Sequence, residues 1–190
     1  TSLSICQGSN IDKSYLDGFS YIEHPDNIAL ALEVCKEIGI SEEKAINGMR
    51  ESHPDPGSLT ITKIKFGKSK IDFVNAFAAN DPQSTYKTLT IINEYYDNKK
   101  KIVIFLNTRP DRHLRTQQLL DMIFYDAQPD YLIVRGNNVN KEIIARCKEI
   151  KEVPFSIFHE NDDYNIINEK ISEFDNYVVI GIGNIVGWGE

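Results

Sequence analysis

Long apolar runs are absent from this 190-residue chain. No segment approaches the roughly 20 residues that a membrane-spanning helix needs. The first eight residues, Thr1 to Gly8, lack the basic stretch followed by an apolar one that marks a signal peptide. Cysteine is scarce. Cys6, Cys35 and Cys147 are far apart and odd in number, with no Cys-x-x-Cys pair and no His/Cys cluster at zinc spacing. That argues against a disulfide framework and a structural zinc site, and for a reduced, cytosolic protein. Cys35 and Cys147 fall on helical patterns and read as small core residues. An excess of basic charge is also missing: 21 Lys and Arg face 28 Asp and Glu, a net charge of −7 with a pI near 5.2. Such a balance excludes a nucleic-acid binder held by backbone charge, and the dispersed acids read as a solvated surface. There is no Gly-x-Ser-x-Gly elbow, no His-Glu-x-x-His and no complete Gly-x-x-x-x-Gly-Lys-Ser/Thr phosphate loop. His24, His53, His113 and His159 are scattered and read as structural. Internal repeats and low-complexity segments are lacking too.

What is present is a change of texture along the chain. A hydrophobic fraction of 41% suits one domain, or one domain and part of another. Ile28, Ala31, Leu32, Cys35 and Ile38 recur at helical spacing, so residues 27–38 are expected to form an amphipathic helix, ended by Gly39. Ser41 is expected to cap a second helix running to about Arg50, with Ala45, Ile46 and Met49 inward. The stretch from Ser52 to Ser58 holds Pro54, Pro56 and Gly57, a stiff connector and a candidate domain boundary. Beyond it, residues 59–66 read as a partly exposed strand, followed by a turn at residues 67–70. Strands are then expected at 71–76, 102–106, 131–135, 155–158 and 177–182. They alternate with helices at 82–97, 113–125, 140–150 and 165–174. This alternation predicts an α/β fold, a Rossmann-like and mostly parallel sheet with flanking helices. The near-continuous apolar runs 102–106 and 177–180 suit strands buried on both faces.

Parallel strands place their carboxyl-end loops along one edge, where open α/β sheets bind ligands. Four such loops stand out: Asn75 to Ser84, Asn107 to Arg112, Arg135 to Asn138, and Gly181 to Asn184. They are polar, arginine-bearing or glycine-bearing, which suits an anionic small molecule. In the first, Asp81 is a good N-cap and Pro82 suits the first helical position, while Asn75 and Asn80 are able to hydrogen-bond a base or sugar. Arginine pairs with carboxylate or phosphate in a bidentate fork. Each loop also has a plainer reading: a helix cap at Asn80-Asp81-Pro82, surface pairing of Arg109 and Arg112 with Asp111, a solvated Arg135. Gly181-x-Gly183 lacks the third glycine and the following helix of a dinucleotide site.

Five stretches carry a family resemblance in the same order from end to end. They are Tyr21 to Leu32, Pro54 to Gly57, Val74 to Pro82, Asn107 to Arg112, and Gly183 to Glu190. On them the chain resembles the Mur ligase superfamily, and within it the ligase subunit of poly-γ-glutamate (capsule) synthases. The resemblance implies that residues 1–57 end a central ATPase domain and that residues 58–190 form the C-terminal Rossmann-like domain. It implies an ATP- and magnesium-dependent ligase that joins glutamate units through an acyl phosphate. ATP and glutamate or polyglutamate would be its small-molecule partners. The remainder of the ligase and the membrane subunits of a capsule synthase would be its protein partners, at the cytoplasmic face of the membrane.

Residue by residue, His24-x-x-Asn27 matches the family's asparagine-bearing helix start, which makes Asn27 a candidate adenine contact. Asn75, Asn80 and Ser84 would lie near the adenosine; Asn75 stands where many relatives carry aspartate. Arg109, Asp111 and Arg112 resemble the Asp-Arg loop of the peptidoglycan ligases, and Arg135 would hold a glutamate carboxylate. Gly57 is followed by Ser58, where many relatives have arginine. No catalytic residue and no metal ligand is assigned, because the family's phosphate loop and central-domain metal ligands would precede residue 1. The chain is therefore expected to be a fragment or one part of a split enzyme, inactive alone. The alternative is a non-catalytic regulatory or assembly module derived from such a ligase.

Overall fold

A computed structural model describes residues 5–53, 57–79, 81–137, 139–150 and 152–185. Asn80, Asn138, the two prolines of the connector and Trp188 lie outside the described residues. The chain divides into two compact units between Thr60 and Ile61.

Among its described residues the first unit carries two α-helices, α1 (Pro25–Glu37) and α2 (Glu42–Glu51), preceded by two short 3-10 turns. α1 starts two residues before the expected position, because Pro25 takes the first helical place and the His24 ring accepts from the Asp26 N–H at 3.2 Å. It stops where Gly39 turns to φ +80° and Ile40 N–H returns to the Cys35 carbonyl at 2.8 Å. The buried stripe is narrower than the spacing predicts. Ile28 and Ala29 are buried, Leu32 and Cys35 are only half-buried, and Ile38 is 68% exposed. Ser41 stands at the N-cap of α2, but its hydroxyl makes no capping hydrogen bond. Glu42 and Glu43 in the first turn supply the complement to the helix dipole instead.

The second unit alternates strand and helix as the hydrophobic periods require. Its elements are β1 (Thr60–Phe66), β2 (Ser69–Asn75), α3 (Pro82–Tyr95), β3 (Lys101–Asn107), α4 (His113–Met122), β4 (Tyr131–Arg135), α5 (Asn140–Glu149), β5 (Phe155–Phe158), α6 (Tyr164–Ser172) and β6 (Tyr177–Gly183). Two differences from expectation have local causes. The β1–β2 turn is only Gly67-Lys68, with Gly67 at φ +60°, so Ser69 and Lys70 join the strand. α4 ends at Met122 and is followed by one π-turn, Ile123–Ala127, closed by Gln128 in the left-handed region with its N–H on the Ile123 carbonyl at 2.8 Å.

The six strands lie in the order β1-β2-β6-β3-β4-β5. β2, β6, β3, β4 and β5 pair in parallel. Right-handed crossovers moving outward from β2 to β5 put α3, α4 and α5 on one face of the sheet. The return from β5 to β6 puts α6 on the other. On the α6 face, Ile167, Ile171 and Phe174 pack with Ile71, Val103, Phe105, Ile133 and Val179 in one cluster. On the opposite face the strands contribute Val74, Ile104, Leu106, Leu132, Val134, Val178 and Ile180, all buried. Burying a side chain of this size is worth roughly 1.5–3 kcal/mol, so the central strands anchor everything that projects from their ends.

Candidate functional site

The parallel register brings the expected loops to a single edge. Asn75 pairs with Gly181, Asn107 with Gly183, Asn107 with Arg135, and Arg135 with Phe158. The last pair adds a fifth loop, after β5, that sequence reading did not count. Side chains two residues apart on a strand share a face. Asn75 therefore follows Ile71 and Phe73, Asn107 follows Phe105, and Arg135 follows Ile133, all on the α6 face.

Asn107 is the centre of this edge. It is fully buried, and its amide spans two loops: Nδ2 donates to the Asn184 carbonyl at 2.5 Å and Oδ1 accepts from Arg135 Nη1 at 3.0 Å. Its own carbonyl accepts from Asn184 N–H at 2.9 Å. The Arg135 guanidinium reaches on to the Glu160 carbonyl through Nη2. The Arg135 carbonyl accepts from Thr108 N–H at 2.9 Å, and the Thr108 hydroxyl lies 3.0 Å from it. Arg135, expected as a substrate contact, thus also ties together the loops after β3, β4 and β5. Burial lowers its pKa from the usual arginine value. Close approach is built in at Gly136, where a Cβ would meet the Thr108 hydroxyl at 1.8 Å. In the fifth loop the His159 ring contacts the Asn137 amide oxygen at 3.1 Å, and the Asp162 carboxylate accepts from His159 N–H at 2.7 Å.

At the start of α3, Asp81 caps the helix by accepting from Ser84 N–H at 3.0 Å. Hydrogen bonds from Ser84, side chain and backbone, hold the Asp81 carboxyl below the usual carboxylate range. Thr85, buried beneath, places its hydroxyl 2.8 Å from the Asp81 carbonyl and 3.0 Å from that of Ala79. Asn75 Oδ1 accepts from Phe77 N–H at 3.3 Å. The chemistry of this donor set suits a nucleoside better than a phosphate. An ionised carboxylate already occupies the positive end of the helix, whereas amide and carboxylate groups match base edges and ribose hydroxyls.

The loop after β3 is cationic and partly self-paired. Arg109 grips Asp111 through Nε at 2.9 Å and Nη2 at 2.8 Å, and Arg112 Nε stands 3.8 Å from the same carboxylate. The hydrogen bond from Arg109 keeps the Asp111 carboxyl below its ordinary range. This is the surface pairing that the plainer reading of the loop describes. Two guanidiniums against one carboxylate still leave the loop with net positive charge. Asn27 belongs to the first unit, in the first turn of α1, where its Nδ2 donates to Glu23 Oε1 at 2.8 Å. Asn80 is outside the described residues.

Among the described residues, no group of three or more His, Cys, Asp or Glu side chains gathers to hold a metal ion. Asn107, Thr108, Asn184 and Glu160 were not singled out as site residues. The available signal was a polar residue closing an otherwise apolar strand, Ile102 to Leu106, where a buried amide must find partners.

The C-terminal domain family of poly-gamma-glutamate synthase CapB matches residues 61–190. Over its whole length the chain is 34% identical to the capsule biosynthesis protein CapB of Bacillus anthracis and 34% identical to the PGA synthase CapB of Bacillus subtilis (strain 168). It spans 41% and 49% of those proteins, so less than half of either. Among solved structures it resembles MurF from Acinetobacter baumannii, with a TM-score of 0.57, 14% identity, and coverage of 85% of this chain and 35% of that one. A murein peptide ligase from Psychrobacter arcticus 273-4 matches with a TM-score of 0.55, 13% identity, and coverage of 87% and 35%. At such identities these two likenesses speak for the fold alone, that of a Mur ligase C-terminal region.

Proposed function

This chain belongs to the C-terminal domain family of poly-gamma-glutamate synthase CapB, and from that premise we propose that it is the C-terminal part of an ATP-dependent ligase that joins glutamate units by γ-amide bonds. Residues 1–57 are the end of the ATPase domain of that ligase, and residues 58–190 its C-terminal domain. In the reaction the γ-carboxylate of one glutamate takes the γ-phosphoryl group of ATP, releasing ADP. The amine of a second glutamate then displaces phosphate from the acyl phosphate and forms the amide. Magnesium, when bound, would neutralise phosphate charge; among the described residues no group of three or more His, Cys, Asp or Glu side chains gathers to hold it.

The chain's own residues have positioning and electrostatic tasks. Asn75, Asn80 and Ser84 hold the adenosine, and the family resemblance separately assigns Asn27 an adenine contact. Arg109 and Arg112, steadied by Asp111, face the carboxylates. Arg135 reads the incoming glutamate while bracing Asn107. The observation that supports this reading most is the shared edge of the parallel strands, where the amide-rich start of α3 and the arginine loop after β3 open to the same side. The proposed setting is the cytoplasmic face of the membrane, with the rest of the ligase and the membrane subunits of a capsule synthase as partners. No described helix is long and apolar enough to cross a membrane.

The sequence contains no phosphate loop, so this chain alone, given ATP, magnesium and glutamate, is expected to release no ADP. Sustained turnover by the purified chain refutes the division of labour. In a full-length ligase containing it, Asn27→Ala or Asn80→Ala is expected to raise the ATP concentration needed for half-maximal rate. Unchanged nucleotide affinity in both refutes the adenosine assignment.

A further inference from the structure

The charge of this chain is unevenly distributed. Residues 63–101 hold eight lysines and four acids, a net +4, in a chain of −7. Four of these lysines line one cleft. Lys63 and Lys65 come from β1, Lys70 from β2, and Lys100 from the turn before β3; Asp72 and Asn176 complete the polar lining of a volume near 610 Å³. None of the four has a carboxylate within ion-pairing distance among the described residues. Lys100 Nζ donates to the Asn176 amide oxygen, which fixes one side of the cleft.

Lysine on an edge strand discourages pairing with another chain, and that accounts for Lys63 and Lys65. It does not account for Lys70 on an inner strand or Lys100 in a loop. Nor does the ligand edge need them, since they gather around the opposite, amino-terminal ends of β2, β3 and β6. Lysines are point charges on flexible stems, suited to a multiply charged chain without a fixed shape. Lys63 and Lys65 project to the same side at about 6.8 Å, the two-residue repeat of a strand. A γ-linked glutamate residue has two more backbone bonds than the ~3.5 Å α-linked one, so an extended polymer sets its carboxylates at a similar pitch.

We propose that the Lys63, Lys65, Lys70 and Lys100 cleft is a docking surface for an extended polycarboxylate, the γ-linked polyglutamate chain. The identity of that polymer rests on the ligase reading; the charge cluster does not. The surface retains the growing chain away from the reacting edge, by the sum of weak contacts along its length.

The test is fluorescence anisotropy of labelled poly-γ-glutamate titrated with this chain at low and moderate salt. Binding is expected to weaken with salt. The Lys63→Gln, Lys65→Gln, Lys70→Gln, Lys100→Gln variant is expected to bind roughly tenfold more weakly, since four exposed contacts each contribute modestly. A variant of equal net charge, with exposed Lys36, Lys44, Lys141 and Lys148 changed to glutamine, is expected to bind within about twofold of wild type. Monomeric glutamate is expected not to compete at equal carboxylate concentration, because only the polymer engages several lysines together. Equal losses in the two variants, or none in the first, overturn the proposal. So does lysine-dependent binding to phosphatidylglycerol vesicles with no binding to the polymer, which assigns the cleft to a lipid surface. Absence of polymer binding overturns this docking surface alone; the ligase reading is decided separately, by ADP release from the full-length enzyme.

Discussion

Gly183 ends β6 at φ +94°, and a Cβ there would lie 2.4 Å from the Asn107 carbonyl oxygen and 3.1 Å from Leu106 Cδ1. Replacing it with alanine carries two separable costs. The left-handed backbone conformation costs an L-residue roughly 1–2 kcal/mol. The overlap is with backbone, which cannot rotate aside, so β6 and β3 must separate where Asn184 N–H meets the Asn107 carbonyl at 2.9 Å. Losing that hydrogen bond adds about 1 kcal/mol, for a total of about 2–3 kcal/mol. Gly67 isolates the first cost, because it too has positive φ (+60°) but a Cβ there meets nothing within 4 Å. Urea unfolding followed by far-ultraviolet circular dichroism compares the two. With a slope near 2 kcal/mol per molar, Gly183→Ala is expected to lower the midpoint by about 1–1.5 M and Gly67→Ala by about 0.5–1 M, the two differing by about 0.5 M. Equal midpoints for the two variants refute the reasoning, since they leave the close approach at Asn107 without energetic weight.

Two further outcomes test the same edge. Arg135→Met, Asn107→Leu and the double variant, measured by urea unfolding, are expected to show a coupling of about 1–2 kcal/mol, because either single change already removes the hydrogen bond that the two side chains share; additive losses mean the 3.0 Å contact carries no weight. Asp81→Ala is expected to cost about 1 kcal/mol near neutral pH, the usual loss of a cap. The folded carboxyl lies below its ordinary value of 3.8, so this contribution is present above the unfolded value and lost as the pH falls through the folded one. The stability gap between wild type and variant should therefore close only in acid; a gap independent of pH between 6 and 2 excludes the ionised cap.

Much of the fold was legible along the chain because its signals are local. The apolar runs 102–106 and 177–180 became the two central strands β3 and β6. Asp81-Pro82 started α3 where a cap and a proline allow. The misjudged details were those that neighbours decide. Ile38 has the right spacing for the core but lies beyond the last buried turn of α1. Ser41 has the right identity for a cap but its hydroxyl does not close the bond. The long helix expected through residue 125 breaks into a π-turn after Met122.

Local periodicity, turn chemistry and charge by themselves determined the alternation of strand and helix, the parallel sense of the sheet and hence the edge on which polar loops would meet. The partners across that edge were decided by tertiary structure. Asn107 bonds Asn184 across 77 residues, Arg135 bonds Asn107 across 28 and Glu160 across 25. The cluster of Lys63, Lys65, Lys70 and Lys100 likewise forms only once β3 has taken its place in the sheet. A side chain's own sequence neighbourhood states what it is able to bond, whereas strand order and register choose which of the distant candidates it meets.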